Sequence, residues 1–313
     1  MGSEFTIRNS VKISDLTGLG KTTIGFLLVG LATSLPELSV AVFAVSNPAN
    51  VGVSLGNVLG SNIVNIALIL GVCILIIVLK RPRYPSFLLS IAKEEMGSLH
   101  FGLFIASIIP LALLYIGYAS RYIGVVLVGI FIYYTIQLTR SKRTKPESTE
   151  VQISERSKIR RYTLLALAGA VVVIATAFFI VDSSSFIAES IGIPRVVIGA
   201  TIVAFGTSIP EFATGVSSAR RGHFDLALGN IVGSGFVNIT LILGVALIAS
   251  PLTVNITAFS NLAVFSLIIN LFLWYFLGSE RISWREGVLL LSLYVVFLVI
   301  SFGGSTIVPP STG

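Results

Sequence analysis

Apolar runs about as long as a helix that crosses a bilayer, ~20 residues, recur along the whole chain with short polar breaks between them. They predict nine spans, at roughly 22–46, 51–79, 98–117, 122–138, 162–181, 196–219, 226–250, 256–277 and 286–303. Composition agrees with the pattern. Of 313 residues, 54% are hydrophobic and 11% are charged, whereas a soluble domain carries about 25% charged residues. The expected class is an all-α polytopic membrane protein, with the lipid bilayer as its first partner, and a soluble enzyme is disfavoured.

The longest polar stretch, 139–161, carries eight Lys/Arg against three Glu and reads as a cytoplasmic basic linker. It divides the chain into an N-terminal transmembrane half, 1–138, and a C-terminal half, 162–313. With this linker in the cytoplasm, alternating the spans places every Lys and Arg except Arg121 and Arg195 on the cytoplasmic side. The positive-inside rule therefore puts the N-terminus inside and the C-terminus outside. The net charge of +7 does not indicate nucleic acid, because the basic residues sit in loops between spans.

The chain also repeats itself. Residues 24–71 read IGFLLVGLATSLPELSVAVFAVSNPANVGVSLGNVLGSNIVNIALILG, and residues 198–244 read IGATIVAFGTSIPEFATGVSSARRGHFDLALGNIVGSGFVNITLILG. The shared positions are polar or small: Thr33/Thr207, Ser34/Ser208, Pro36/Pro210, Glu37/Glu211, Gly56/Gly229, Asn57/Asn230, Gly60/Gly233, Ser61/Ser234 and Asn65/Asn238. Chance likeness between apolar helices would match Leu, Val and Ile instead. The charge of the loops sets the two copies in opposite orientations. Inverted repeats with Gly/Pro-interrupted helices are the architecture of secondary transporters, with a site near the membrane midplane.

Of the 14 Asp and Glu, only Glu37 and Glu211 fall well inside spans, at matching repeat positions. A charge there costs at least about 2.5–3.5 kcal/mol, and no basic residue lies deep in a span to offset it. Each Glu follows a Pro, which cannot bond the carbonyl four residues back and should release Ala32 and Gly206. Thr33, Ser34, Thr207 and Ser208 place hydroxyls just before the carboxylates, and Ser61, Asn65, Ser234 and Asn238 come from the partner helices. All of these ligands are oxygens, a set that selects hard cations such as Ca²⁺ or Na⁺. The lone Cys73 and the two histidines, His100 and His223, make no Cys/His metal cluster. One Ca²⁺, two or more Na⁺, or protons would neutralise two carboxylates, and a costly empty site makes exchange more natural than uniport. There is no HExxH, no nucleophile with a His base and no Walker A motif, so neither an enzyme nor ATP-driven transport is expected.

At these residues the sequence resembles the calcium/cation antiporter superfamily, the sodium/calcium exchanger group in particular. G(T/S)S(L/I)PE and GNxxGSxxxN are similar to that family's two alpha-repeats. The resemblance implies ten helices in two inverted halves, a diamond of ion sites between four repeat helices, and Ca²⁺/Na⁺ exchange by alternating access. It implies ligands at Thr33, Ser34, Glu37, Ser61, Asn65, Thr207, Ser208, Glu211, Ser234 and Asn238, with no cofactor beyond the transported ions. This chain departs from the family pattern at Ala32, at the paired amides Asn65 and Asn238, at Gly235 and at the start. There most of the helix matching 162–181 is absent, leaving about nine helices. H⁺/Ca²⁺ exchange is the alternative counter-ion reading. A Ca²⁺ channel or a non-transporting cation-binding protein is the alternative class. The short loops suggest a prokaryotic plasma membrane.

Overall fold

The computed structural model describes residues 21–45, 51–80, 104, 107–112, 118–140, 164, 195–249, 252–253, 256–278 and 283–303. The N-terminal tail, most of the 98–117 and 162–181 spans, the 81–97 loop and the linker from 141 lie outside these residues.

Each repeat begins with a broken span. Helix α1 comprises Lys21–Ile24, a π-helical stretch Gly25–Gly30, and Leu31–Thr33, and α2 is Leu35–Val45. In the second repeat, α5 comprises Arg195–Ile198, a π stretch Gly199–Val203, and Ala204–Thr207, and α6 is Ile209–Arg220. The bends are 43° and 47°. They fall at Ser34 and Ser208, where ψ is 5°. The backbone ladder persists on both sides of the first break, with Ser34 N–H donating to Gly30 O and Leu38 N–H to Ser34 O, each at 3.1 Å. Between them Pro36 has no N–H for Ala32, and Pro210 likewise has none for Gly206. The single spans predicted at 22–46 and 196–219 are therefore each two helices.

The second helix of each repeat is long and continuous. Helix α3 runs Val51–Ile63, a π stretch Val64–Leu70, and Gly71–Lys80. Helix α7 runs Phe224–Val237, a π stretch Asn238–Ile242, and Leu243–Ala249. The turn from α6 to α7 is written in RRGH. Gly222 takes φ 82°, Gly222 N–H donates to Ala219 O, and His223 N–H donates to Ser218 O, which closes the helix in a Schellman motif.

Three further helices are α4 (Arg121–Arg140), α8 (Ile256–Gly278) and α9 (Trp284–Gly303), and residues 107–112 are helical as well. Helix α9 starts on a capping box: Ser283 N–H donates to Glu286 Oε2 at 2.7 Å and the Ser283 hydroxyl donates to the same oxygen at 2.6 Å, while Arg285 N–H donates back to Ser283 Oγ. One antiparallel pair of two-residue strands, β1 (Tyr118–Ala119) and β2 (Leu252–Thr253), ties the entry of α4 to the exit of α7.

Apolar windows of α3 and α7 are 61% and 83% buried, against 17% for α4 and 22% for α9. So α3 and α7 are the centre, and α4 and α9 the rim. Exposed Val125, Val126 and Tyr133 on α4, and Val295, Val296 and Val299 on α9, suit a lipid surface. The fold is an all-α, multi-pass membrane architecture of two inverted repeats.

The repeats pack across one another. A Cβ on Gly25 of α1 would lie 2.7 Å from Leu226 O of α7, and one on Gly199 of α5 would lie 2.3 Å from Val53 O of α3. The same exchange recurs at the rim. Gly124 of α4 faces Gly244 O of α7, while Gly287 of α9 faces Gly71 O of α3. Each of these glycine contacts in one half has its partner in the other, as a two-fold relation requires.

Candidate cation site

The broken pairs α1/α2 and α5/α6 and the long helices α3 and α7 meet around the two carboxylates. Pro36 and Pro210 sit in the first turns of α2 and α6, and Glu37 and Glu211 follow them immediately. A helix N-terminus is favourable for negative charge, because its first amides lack carbonyl partners and the dipole is positive there. Both Glu side chains are fully buried, and the two carboxylates are electrostatic neighbours.

All ten residues expected at the site are buried. Several are joined across the repeats. Ser208 Oγ donates to Glu37 Oε1 at 3.5 Å. Thr207 lies beside the same carboxylate, and its Oγ1 is 3.4 Å from Ser61 Oγ. Thr33 and Ser34 lie beside Glu211 in turn, and Ser234 Oγ donates to Glu211 Oε1 at 3.3 Å and to Gly30 O at 3.4 Å. Asn65 and Asn238 lie in the π stretches of α3 and α7 and bond to neither Glu.

The unpartnered atoms mark the place. Ser34 Oγ, Glu37 Oε2, Glu211 Oε2 and both amide atoms of Asn65 and Asn238 are buried without a hydrogen-bond partner. Each such group costs about 1–3 kcal/mol, and native interiors leave few of them. The free carboxylate oxygens, Ser34 Oγ beside Glu211 and the buried amide oxygens on α3 and α7 are of the donor type that suits a hard cation, which takes about 6–8 oxygens when it is Ca²⁺. The π stretches belong to the same description, since such bulges recur at functional sites.

The family of sodium/calcium exchanger proteins matches this chain over residues 1–140 and 161–303. The chain belongs to the sodium/calcium exchanger family. Sodium/calcium exchanger MaX1 of Methanosarcina acetivorans is 34% identical over 343 residues, covering 96% of this chain and 94% of the relative. The inner membrane protein YrbG of Escherichia coli is 29% identical, covering 91% and 87%. A solved structure of the sodium-calcium exchanger NCX_Mj, soaked with 10 mM Na⁺ and zero Ca²⁺, superposes with a TM-score of 0.75 at 27% identity, covering 94% of this chain and 92% of that one.

Two residues of this exchanger-family chain reach the site without having been singled out for it. Asn57 and Asn230 are buried behind the threonines. Thr207 Oγ1 donates to Asn57 Oδ1 at 3.0 Å, and Thr33 Oγ1 lies 3.3 Å from Asn230 Oδ1. Their signal was present in the repeat, where both copies carry the Asn of GNxxGS. Asn62, which Gly235 replaces in the second copy, turns away from the site and donates to Ser266 Oγ of α8 at 2.8 Å.

Proposed function

We propose that the chain exchanges Ca²⁺ for Na⁺ by alternating access at a midplane site built on Glu37 and Glu211. The observation that carries this reading is the pair of fully buried, neighbouring carboxylates, each with one oxygen unpartnered, with the unpartnered Ser34 Oγ beside Glu211; Asn65 and Asn238 add buried, unpartnered amide oxygens on α3 and α7. Thr33, Ser61, Thr207, Ser208 and Ser234 supply further neutral oxygens. Two buried negative charges favour whichever cations neutralise them, so one Ca²⁺ and several Na⁺ compete for the same oxygens. The resting cost of the uncompensated pair opposes movement of the empty site across the membrane, which couples the two fluxes. The names of MaX1 and NCX_Mj, both sodium/calcium exchangers, support the choice of ions. The outer helices of the two transmembrane halves, 1–138 and 162–313, rock or slide across the core formed by the two repeats, with the 139–161 linker cytoplasmic.

The test is ⁴⁵Ca²⁺ uptake into proteoliposomes under an outward Na⁺ gradient, an outward H⁺ gradient, or none. Uptake is expected with Na⁺ alone, and both Glu37→Gln and Glu211→Gln should abolish it. Uptake driven by H⁺ alone would replace Na⁺ by protons as the counter-ion. Saturable Ca²⁺ binding without flux under any gradient would reject exchange, and flux that needs no counter-ion would identify a channel.

A further inference from the structure

The two halves of the site differ behind the ligands. In the second repeat, Asn230 is held at both ends of its amide. Its Nδ2 donates to Thr214 Oγ1 at 2.9 Å, and Thr214 in turn donates to Pro210 O at 2.8 Å. The nearby Thr33 hydroxyl has a closer acceptor in its own helix, Val29 O at 2.9 Å, than in Asn230 Oδ1 at 3.3 Å. In the first repeat Val40 stands at the position matching Thr214, and Asn57 Nδ2 is buried without a partner. The Oδ1 of Asn57, by contrast, is the nearest acceptor for Thr207 Oγ1, at 3.0 Å against 3.3 Å to Ala204 O. It also takes Ser61 Oγ at 3.4 Å.

A hydroxyl binds a cation through its lone pairs, so its proton must point elsewhere. One acceptor behind two hydroxyls sorts both at once. We infer that Asn57 is a positioning residue for cation binding: its Oδ1 draws the protons of Thr207 and Ser61 away from the carboxylates and leaves both oxygens facing the ion. Asn230 has the weaker version of this role, because Thr33 can give its proton to Val29. The inference rests on the proposed cation site.

The experiment is Ca²⁺ titration of the purified full chain in detergent by calorimetry, with gel filtration to check folding. Asn57→Leu is expected to weaken Ca²⁺ binding about tenfold, and Asn230→Leu by clearly less. Thr207→Val should weaken it as well, and adding Asn57→Leu to Thr207→Val should then add much less than Asn57→Leu does alone. Asn57→Asp keeps an acceptor oxygen and exchanges the unpartnered N–H₂ for a second, ionisable oxygen, so at a pH where that carboxyl is ionised it should rescue most of the loss. Additive losses in the double variant, equal losses at the two Asn positions, or an Asn57→Asp as weak as Asn57→Leu would overturn the inference. Ca²⁺ binding that survives Glu37→Gln and Glu211→Gln would instead overturn the site itself.

Discussion

At the scale of single residues, two kinds of position matter: those whose polar atoms have no protein partner, and those where a side chain has no room. Gly60 is the clearest of the second kind. A Cβ there would lie 2.3 Å from Ala200 O and 2.5 Å from Ala200 Cα, both backbone atoms that a side-chain rotation cannot relieve. Gly129 on the lipid-facing helix α4 would meet nothing within 4 Å. A Gly-to-Ala change inside a helix gains roughly 0.5–1 kcal/mol from the backbone, while overpacking costs about 1–3 kcal/mol. Gly129→Ala should therefore hold or raise the melting temperature of the detergent-solubilised protein. Gly60→Ala should lower it, by pushing α3 off α5. Equal shifts in a thermal unfolding scan would mean that the crossing is looser than these distances say. The glycines of GNxxGS thus set the closeness of the helices, and the Ser and Asn among them are the residues proposed for the chemistry.

At the scale of elements, the breaks at Ser34 and Ser208 turn two apolar spans into site-building pairs. The missing hydrogen bond was legible in the sequence, because LPE and IPE place a Pro directly before the carboxylates that fall well inside predicted spans; the division of each span into two helices was not. The consequence of the missing bond follows from chemistry: restoring an N–H at position 36 lets the helix close onto Ala32. Pro36→Ala should remove most of the 43° bend, swing Glu37 away from Ser208 and weaken Ca²⁺ binding by an order of magnitude or more. Circular dichroism should show helix content unchanged or slightly increased. Unaltered binding in that variant would separate the bend from the site. Other features of the elements were not legible. The π stretches depend on how α1, α3, α5 and α7 cross, and no local residue preference announces them. The β1–β2 pair joins Tyr118 to Thr253, residues far apart in sequence whose pairing only the closed bundle decides. The ten positions proposed as ligands stand out in the sequence for a different reason: a polar set repeated in register among apolar residues has no packing explanation, so the repetition itself points to them, and the structure buries all ten. Asn57 carried the same signal, but only its position behind Thr207 distinguishes an acceptor for hydroxyl protons from a cation ligand.

At the scale of the molecule, the repeat extends beyond the two motifs. Helices α4 and α9 are each 20 residues long, and the fourth residue of each, Gly124 or Gly287, rests on the glycine that closes a repeat, Gly244 or Gly71. The reciprocal glycine contacts show the first helix of each repeat packed on the long helix of its counterpart, while the second helix of each broken pair packs on the long helix of its own repeat. An inverted relation of this kind has a sharp consequence for sidedness. Arg121 and Arg285, near the N-termini of α4 and α9, occupy matching ends of matching helices and are both exposed. In an inverted pair those ends must lie on opposite faces of the membrane, and from the distribution of basic residues we expect Arg285 in the cytoplasm and Arg121 outside. The chain's single cysteine, Cys73, is buried, so introduced cysteines should report with little background. In intact cells, Arg121→Cys should react with a membrane-impermeant maleimide and Arg285→Cys should not; in inside-out vesicles the pattern should reverse. Labelling of both from one side would break the inversion, and labelling in the opposite sense would keep the inversion and turn the whole protein over, because one charge assignment fixes every loop together.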